Sequence, residues 1–126
     1  MNSRSTDKFT LTLIESRYFL MEVHDDVELE VKDIPFLVKF QEELGQGKLY
    51  PAIILPSPTA TTNSDLISYI SKKENLPYTV ADAFILTSIA HKILAKLYIR
   101  FIPPERPTQF FTKKEDALKW LEKYMD

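Results

Sequence analysis

The apolar pattern over residues 78–102 is the most extended in the chain. A short, mostly apolar run there predicts a buried strand over residues 81–87. The spacing then becomes helical, and the apolar residues form two adjacent stripes: Ile89, Ile93, Leu97 and Phe101, with Ala90, Leu94, Tyr98 and Ile102 beside them. A basic stripe runs along the other side: Lys92, Lys96 and Arg100. So wide an apolar face predicts a helix that packs on a sheet.

The first third of the chain shows the alternation of short strands. Residues 9–13 alternate between apolar residues and threonine, and residues 17–23 form a second apolar, aromatic-rich run. The polar join at Glu15 and Ser16 predicts a hairpin between these runs. Residues 27–31 alternate again and predict a third short strand.

The middle of the chain alternates helical and strand patterns, as α/β proteins do. A helix is predicted to begin at residues 32–33 and to end at Gly45. The run PAIIL, residues 51–55, predicts a central strand buried on both faces. A loop rich in proline and hydroxyl residues follows over residues 56–65 and leads into a short helix.

The last quarter of the chain contains a proline-rich segment that ends the long helix, followed by a predicted strand and a predicted helix. Three prolines within residues 103–107 end the long helix, and residues 109–111 predict a brief strand. Thr112 stands three residues before Glu115, the spacing of a capping box at the start of a final helix. Apart from the short third strand at residues 27–31, the predicted order is strand, strand, helix, strand, helix, strand, helix, strand, helix.

Length and composition fit one domain. The chain has 126 residues, 44% of them hydrophobic, and we expect a disordered tail over residues 1–8 and a single domain over residues 9–126. A formal net charge of -2 argues against a nucleic-acid-binding protein. No apolar run approaches the roughly 18 residues of a membrane span, and the N-terminus lacks the apolar core of a signal peptide. Together with the absence of cysteine, these features predict a cytoplasmic protein.

Few residues have the spacing that catalysis requires. Both glycines lie in the segment GQGK between a predicted helix and a predicted strand, whereas phosphate-binding loops place glycines before a helix. His24, Asp25 and Asp26 suit a metal, but adjacent residues at a strand end point in different directions. His91 belongs to no motif with a nucleophile. We therefore expect a protein that is not an enzyme, with no catalytic, cofactor or metal site.

Three segments resemble a known family. They are the proline-rich turn with FFTKKEDALKWL after it, the stretch Val27-Glu28-Leu29 before the first predicted helix, and YPAIIL at the central strand. Across most of residues 9–125 the chain resembles small STAS-like proteins with a SpoIIAA-like fold. The resemblance implies an α/β fold in which a mixed sheet of four or five strands packs against helices.

The resemblance also draws attention to one serine. In the sporulation anti-sigma-factor antagonists of that family, a partner kinase phosphorylates a serine in the pattern Asp-Ser-Ser-Gly-Leu. This chain has Thr62-Asn63-Ser64-Asp65-Leu66 at the comparable distance from the central strand, so Ser64 matches the second serine. An aspartate replaces the glycine and adds negative charge beside the acceptor. Divergent SpoIIAA-like branches are associated with lipid or nucleotide binding.

Two functions are compatible with these features. The first is a non-catalytic regulatory or protein-interaction module, which would bind a partner protein through the 56–66 loop and the N-terminus of the following helix. Its candidate residues are Ser57, Thr59, Thr61, Thr62 and Ser64. The second is a small-ligand or lipid-binding protein with an apolar pocket between the sheet and the 88–102 helix. The high apolar content also predicts a homodimer.

Overall fold

The computed structural model describes residues 2–125, which form six strands and four α-helices. The strands are β1 (Ser3–Ser5), β2 (Phe9–Ile14), β3 (Tyr18–Val23), β4 (Tyr50–Pro56), β5 (Thr79–Ile85) and β6 (Thr108–Phe111). The helices are α1 (Ile34–Gly45), α2 (Ser64–Ser71), α3 (Ile89–Phe101) and α4 (Lys114–Leu121). Short 3-10 helices occupy Val31–Asp33, Lys73–Asn75 and Glu122–Tyr124.

The strands lie in the sheet in the order in which they occur along the chain. The pairs β1–β2 and β2–β3 are antiparallel, and the three later pairs are parallel. Right-handed crossovers that always step in the same direction place their helices on one face of the sheet. Accordingly, α1, α2 and α3 lie on one face and α4 packs on the other. The predicted mixed α/β sheet is confirmed, with six strands rather than four or five.

A tight turn joins β2 to β3. Glu15 and Ser16 both have positive φ, 51° and 53°, and the Arg17 N–H donates to the Ile14 carbonyl at 2.8 Å. Two left-handed residues in this position give a type I′ turn, whose twist matches that of the flanking strands. The hairpin predicted from the two apolar runs is confirmed.

The N-terminal segment differs from the disordered tail predicted for residues 1–8. Ser3–Ser5 pairs with β2 as an edge strand, and the Ser3 hydroxyl lies 2.9 Å from that of Thr12. This strand is polar throughout, so it lacks the apolar alternation by which strands are found in a sequence. Met1, the first residue of the predicted tail, and Asp126, the last of the predicted domain, lie outside the described residues.

Two local predictions were wrong. Residues 27–31 do not form a strand of the sheet, because they contribute one isolated bridge, Glu28 to Thr61, and then enter a 3-10 helix. The final helix is not capped by Thr112, since its N-cap residue is Lys113 and no side chain accepts a capping hydrogen bond.

Two apolar clusters cover the two faces of the sheet. The first lies under α1 and α2 and includes the fully buried Phe9 and Phe19, and the second lies under α4 and includes Leu121. Adjacent residues of β4 contribute to both, because Ala52 belongs to the first cluster and Ile53 to the second. The prediction of a central strand buried on both faces is thereby confirmed.

Candidate ligand-binding site

Fewer residues of the helix α3 are buried than its sequence predicts. The Ser88 hydroxyl caps it by accepting from the His91 N–H, but among its 13 residues only Ala95 is buried. Ile89 and Phe101 are 75% and 72% exposed. The expectation that both apolar stripes pack on the sheet was therefore wrong, because the stripe from Ile89 to Phe101 lies on the outer surface. Within residues 2–125 no helix is long and apolar enough to cross a membrane.

An apolar cavity of about 410 Å³ separates α3 from the sheet. Its walls include residues of the sheet and of α3: Met21, Ile54, Phe84, Phe110, Leu94 and Tyr98. Small-molecule sites in proteins typically measure about 300–1,000 Å³ and are lined by such side chains. A cavity therefore lies where the ligand-binding hypothesis expected a pocket.

An irregularity in β5 turns polar side chains toward this cavity. Tyr50 pairs with Thr79 and Ala52 pairs with Asp82, so β5 contains one more residue than β4 over this interval. Such a bulge shifts the alternation of side chains along the strand. Thr79 and Asp82 both line the cavity as a result, although residues three apart in a regular strand point to opposite faces.

Four buried polar residues line the cavity and hydrogen-bond in two pairs. The Arg106 Nε donates to the Asp82 Oδ2 at 2.6 Å, and the Gln41 Nε2 donates to the Thr79 Oγ1 at 2.8 Å. Burial raises the pKa of the Asp82 carboxyl above its ordinary value, and the Arg106 guanidinium opposes that rise. Two buried atoms have no hydrogen-bond partner among residues 2–125, the Gln41 Oε1 and the Arg106 Nη1.

None of these four residues was predicted from the sequence as part of a site. One signal was present, because Asp82 interrupts the apolar run of a predicted buried strand, and a buried carboxylate requires a partner. The partner, Arg106, lies 24 residues later in a proline-rich segment. The spacing of nearby residues in the sequence does not reveal a contact between two residues that are 24 positions apart.

The loop over residues 56–66 is tied to the loop that follows β3. The Ser57 hydroxyl donates to the Asp25 carboxylate, and the Thr59 hydroxyl accepts from the Asp26 N–H at 2.9 Å. The loop after β3 therefore holds two of the predicted hydroxyl residues, Ser57 and Thr59, by hydrogen bonds.

The other three predicted residues have different surroundings. Thr61 and Thr62 line the cavity, and the Thr62 hydroxyl donates to the Leu29 carbonyl at 3.1 Å. Ser64 is the exposed first residue of α2, which is capped by Asn63. The structure thus brings two of the five predicted hydroxyl residues to the cavity.

The two histidines make backbone or hydroxyl contacts. The His91 Nε2 lies 2.7 Å from the Ala60 carbonyl oxygen and joins the first turn of α3 to the 56–66 loop. The His24 Nε2 lies 2.9 Å from the Thr10 hydroxyl. In the part of the chain that the structure describes, no three His, Asp or Glu residues are grouped so that they could hold a metal ion.

Comparison with known proteins relates this architecture to a family and a fold. A family model described as "Domain of unknown function (DUF7793)" matches residues 13–125. The chain is also similar to the crystal structure of an uncharacterized DUF3478-family protein with a SpoIIAA-like fold from Shewanella loihica PV-4. That similarity has 16% identity and a TM-score of 0.51, and it covers 94% of this chain and 90% of that chain. No curated protein matches the chain. The fold is SpoIIAA-like, as the sequence resemblance implied.

Proposed function

The chain belongs to the DUF7793 family, a domain of unknown function, and we propose that it is a non-catalytic binding protein that holds a small, largely apolar ligand beneath α3. The observation that carries this proposal is the apolar cavity of about 410 Å³ between α3 and the sheet. The cavity is partly open to solvent, and its apolar lining remains in contact with water unless an apolar molecule covers it, so a ligand that fills it is favoured by the hydrophobic effect. Its volume and its apolar lining suit a small-molecule ligand.

The attachment of α3 supports a role as the movable cover of the cavity. The helix buries Ala95 alone among its own residues, and the contact of His91 with Ala60 connects its first turn to the 56–66 loop. Segments with few buried apolar contacts open at low free-energy cost. Opening of α3 would admit a ligand while α1 and α4 continue to cover the core of the sheet.

The charged groups of the cavity support binding rather than catalysis. Asp82 and Arg106 neutralise each other at 2.6 Å, and a carboxylate engaged in this way is a poor general base. The remaining wall is mostly apolar, which favours retention of an apolar molecule over polarisation of a reacting bond.

The proposal is tested by titrating the protein with Nile red, an uncharged dye that fluoresces in apolar surroundings. Ala95→Phe places a larger side chain in the cavity and is expected to weaken dye binding at least about tenfold. Lys96→Ala, on the exposed side of the same helix, is the matched control and is expected to bind like the parent. The proposal is overturned if the parent shows no saturable binding, or if Ala95→Phe binds the dye as the parent does.

Recognition of a partner protein by the 56–66 loop is a second candidate function. It is supported by Ser64, which is exposed in the first turn of α2, where the helix dipole favours negative charge. Phosphorylation there would add about two charges beside Asp65 and change the surface offered to a partner. Ser64→Glu and Ser64→Ala are compared by affinity capture from native lysate. Loss of a specific partner in the Glu variant alone would support a switch, whereas identical partners for the parent and both variants would count against it.

A further inference from the structure

The surface of α3 that faces away from the cavity carries a row of exposed apolar side chains. Four residues at every fourth position form this outer stripe: Ile89, Ile93, Leu97 and Phe101. Their side chains are between 47% and 75% exposed. Contiguous apolar patches on the surface of a protein usually mark a site of interaction. The outer stripe is therefore expected to be covered by a partner.

A basic stripe runs beside the outer stripe. Lys92, Lys96 and Arg100 each follow a residue of the outer stripe by three positions, which makes them its neighbours on the helix surface. The guanidinium carbon of Arg100 lies 5.6 Å from the centre of the Phe101 ring. The helix contains no acidic residue, and among residues 2–125 none of the three basic side chains forms a salt bridge. The partner that covers the outer stripe is therefore expected to carry negative charge.

An apolar stripe flanked by lysine and arginine is typical of helices that lie in the surface of a membrane. The apolar side chains of such helices enter the boundary between the lipid headgroups and the acyl chains, while the long basic side chains extend to the phosphates. No helix within residues 2–125 is long and apolar enough to cross a membrane, so α3 would lie along the surface.

A second copy of the chain is the other partner that an apolar stripe accepts. Two outer stripes packed on each other bring the basic stripes of both copies close together, and neither α3 supplies an acidic residue to offset them. Anionic lipid headgroups do offset them. A dimer held together by the outer stripes in solution is therefore expected to separate at an anionic membrane.

We propose that α3 binds the surface of membranes that contain anionic lipids. The outer stripe enters the apolar boundary, and the basic stripe contacts the lipid phosphates. Because the chain has a formal net charge of -2, its attraction to such a surface depends on this one helix and orients α3 toward the lipid. The proposal goes beyond the proposed function, since it concerns the outer surface of α3 and not the cavity beneath it.

Cosedimentation with lipid vesicles tests the proposal. One set of vesicles contains phosphatidylcholine alone, and the other contains phosphatidylcholine and phosphatidylglycerol in similar amounts. The parent is expected to bind the anionic vesicles at least about tenfold more tightly, because each basic residue near an anionic surface contributes roughly a fivefold gain. Raising the salt concentration from about 0.1 M to about 1 M is expected to remove most of this preference, since salt screens exposed charges.

A first pair of variants tests the outer stripe. The double variant Leu97→Ser, Phe101→Ser is expected to bind the anionic vesicles at least about tenfold more weakly than the parent, because two apolar side chains no longer enter the lipid. The matched control is Phe36→Ser, Leu49→Ser, which changes the same residue types at positions that are 53% and 55% exposed outside α3. The control is expected to bind like the parent.

A second pair of variants tests the basic stripe. The double variant Lys92→Gln, Lys96→Gln is expected to weaken binding to the anionic vesicles at least about tenfold and to leave binding to the neutral vesicles unchanged. The matched control is Lys114→Gln, Lys119→Gln, which makes the same change in net charge at exposed positions of α4, on the other face of the sheet. The control is expected to retain the parent's binding to both kinds of vesicle.

Circular dichroism verifies the fold of each variant, and if the serine double variant of α3 does not fold, the glutamine variants decide the test. The proposal is overturned if the parent does not bind the anionic vesicles, if it binds both kinds of vesicle equally, or if the controls lose as much binding as the α3 variants. A parent that stays dimeric and unbound beside anionic vesicles would assign the outer stripe to a second copy. Nile red binding is measured without vesicles, so a failure here leaves the proposed function intact.

Discussion

The Arg106 guanidinium and the Asp82 carboxylate form a buried ion pair, with Nε and Oδ2 separated by 2.6 Å. The pair connects the segment before β6 to the middle of β5 on the cavity side of the sheet, and Asp82 pairs in register with Thr108, the first residue of β6. Removing two charges from water is costly, and their mutual attraction compensates for this cost only while both partners are present. The pair therefore makes the strand that carries it sensitive to the loss of either residue.

The first prediction concerns this sensitivity. Asp82→Leu or Arg106→Met alone is expected to lower the free energy of unfolding by about 3–5 kcal/mol, because each leaves one buried charge without a partner. The double variant is expected to lie within about 1 kcal/mol of the parent or to be more stable, since it removes both charges. Urea denaturation measures all four proteins. Additive losses in the double variant would show that the two side chains act independently.

The contact between α3 and the 56–66 loop gives a second prediction. The His91 Nε2 lies 2.7 Å from the Ala60 carbonyl oxygen. His91→Ala is expected to accelerate hydrogen exchange of the α3 amides about two- to tenfold, the factor that one net hydrogen bond represents. Amides of β4, in the centre of the sheet, are expected to exchange at the parent rate. Lys96→Ala is the control on the same helix, and an equal effect in both variants would argue against a cover held by His91.

A third prediction concerns acid stability. The Lys8 ammonium lies 3.0 Å from carboxylate oxygens of both Glu30 and Asp33. Its hydrogen bond lowers the pKa of Glu30 below the ordinary value of 4.5, and the charge of Lys32 contributes. A carboxyl whose pKa is lowered by folding adds stability above its unfolded pKa, and that stability is lost as the pH falls through the folded value.

The advantage of the parent over Lys8→Met is therefore expected at neutral pH and is expected to shrink at about pH 3. Urea denaturation at both pH values measures it. Lys48→Met, which removes an exposed lysine, provides the control for the change in net charge. An advantage of equal size at both pH values would mean that Lys8 stabilises the protein through its hydrocarbon stem alone.

The position of α3 gives a fourth prediction. Leu97 is 47% exposed on this helix, whereas Leu66 of α2 is 2% exposed in the core. Leu66→Ala is expected to lower the free energy of unfolding by about 2–5 kcal/mol, through lost apolar contact and the space left behind. Leu97→Ala is expected to lower it by less than about 1 kcal/mol, as surface substitutions do. If chemical denaturation showed a larger loss of unfolding free energy for Leu97→Ala than for Leu66→Ala, the outer stripe of α3 would belong to the core.

Much of the fold could be predicted from the sequence because apolar periodicity reports burial directly. The central strand β4 was found from the run PAIIL, and the β2–β3 hairpin from two apolar runs around Glu15 and Ser16. The edge strand Ser3–Ser5 was missed because its side chains are polar and its stability comes from backbone pairing. The same periodicity misplaced the outer face of α3, since an apolar stripe does not show whether the sheet, a ligand or another chain covers it.

The candidate site was less accessible to prediction. Its ion pair joins Asp82 to Arg106 across a crossover that contains a whole helix, and a bulge in β5 turns Thr79 and Asp82 to the same face. Neither relationship follows from local spacing. The hydroxyl-rich loop attracted attention because its composition is visible in the sequence, and two of its residues, Thr61 and Thr62, do line the cavity.

The last prediction concerns the outer surface of α3. Four large apolar side chains recur there at every fourth residue and are exposed: Ile89, Ile93, Leu97 and Phe101. Exposed apolar patches of this kind usually mark an interface, and we expect a homodimer in which the two outer stripes cover each other. A neighbouring basic stripe brings like charges together in such a dimer: Lys92, Lys96 and Arg100.

Salt screens repulsion between exposed charges, so the dimer is expected to become tighter as the salt concentration rises. Ile93→Asp is expected to give a monomer, because it places a charge within the apolar stripe, whereas Asp116→Asn on α4 is expected to leave the dimer unchanged. Light scattering after gel filtration at several micromolar concentrations measures the mass of each protein. A monomeric parent at every concentration and salt level would contradict the dimer and leave the outer stripe to a different partner.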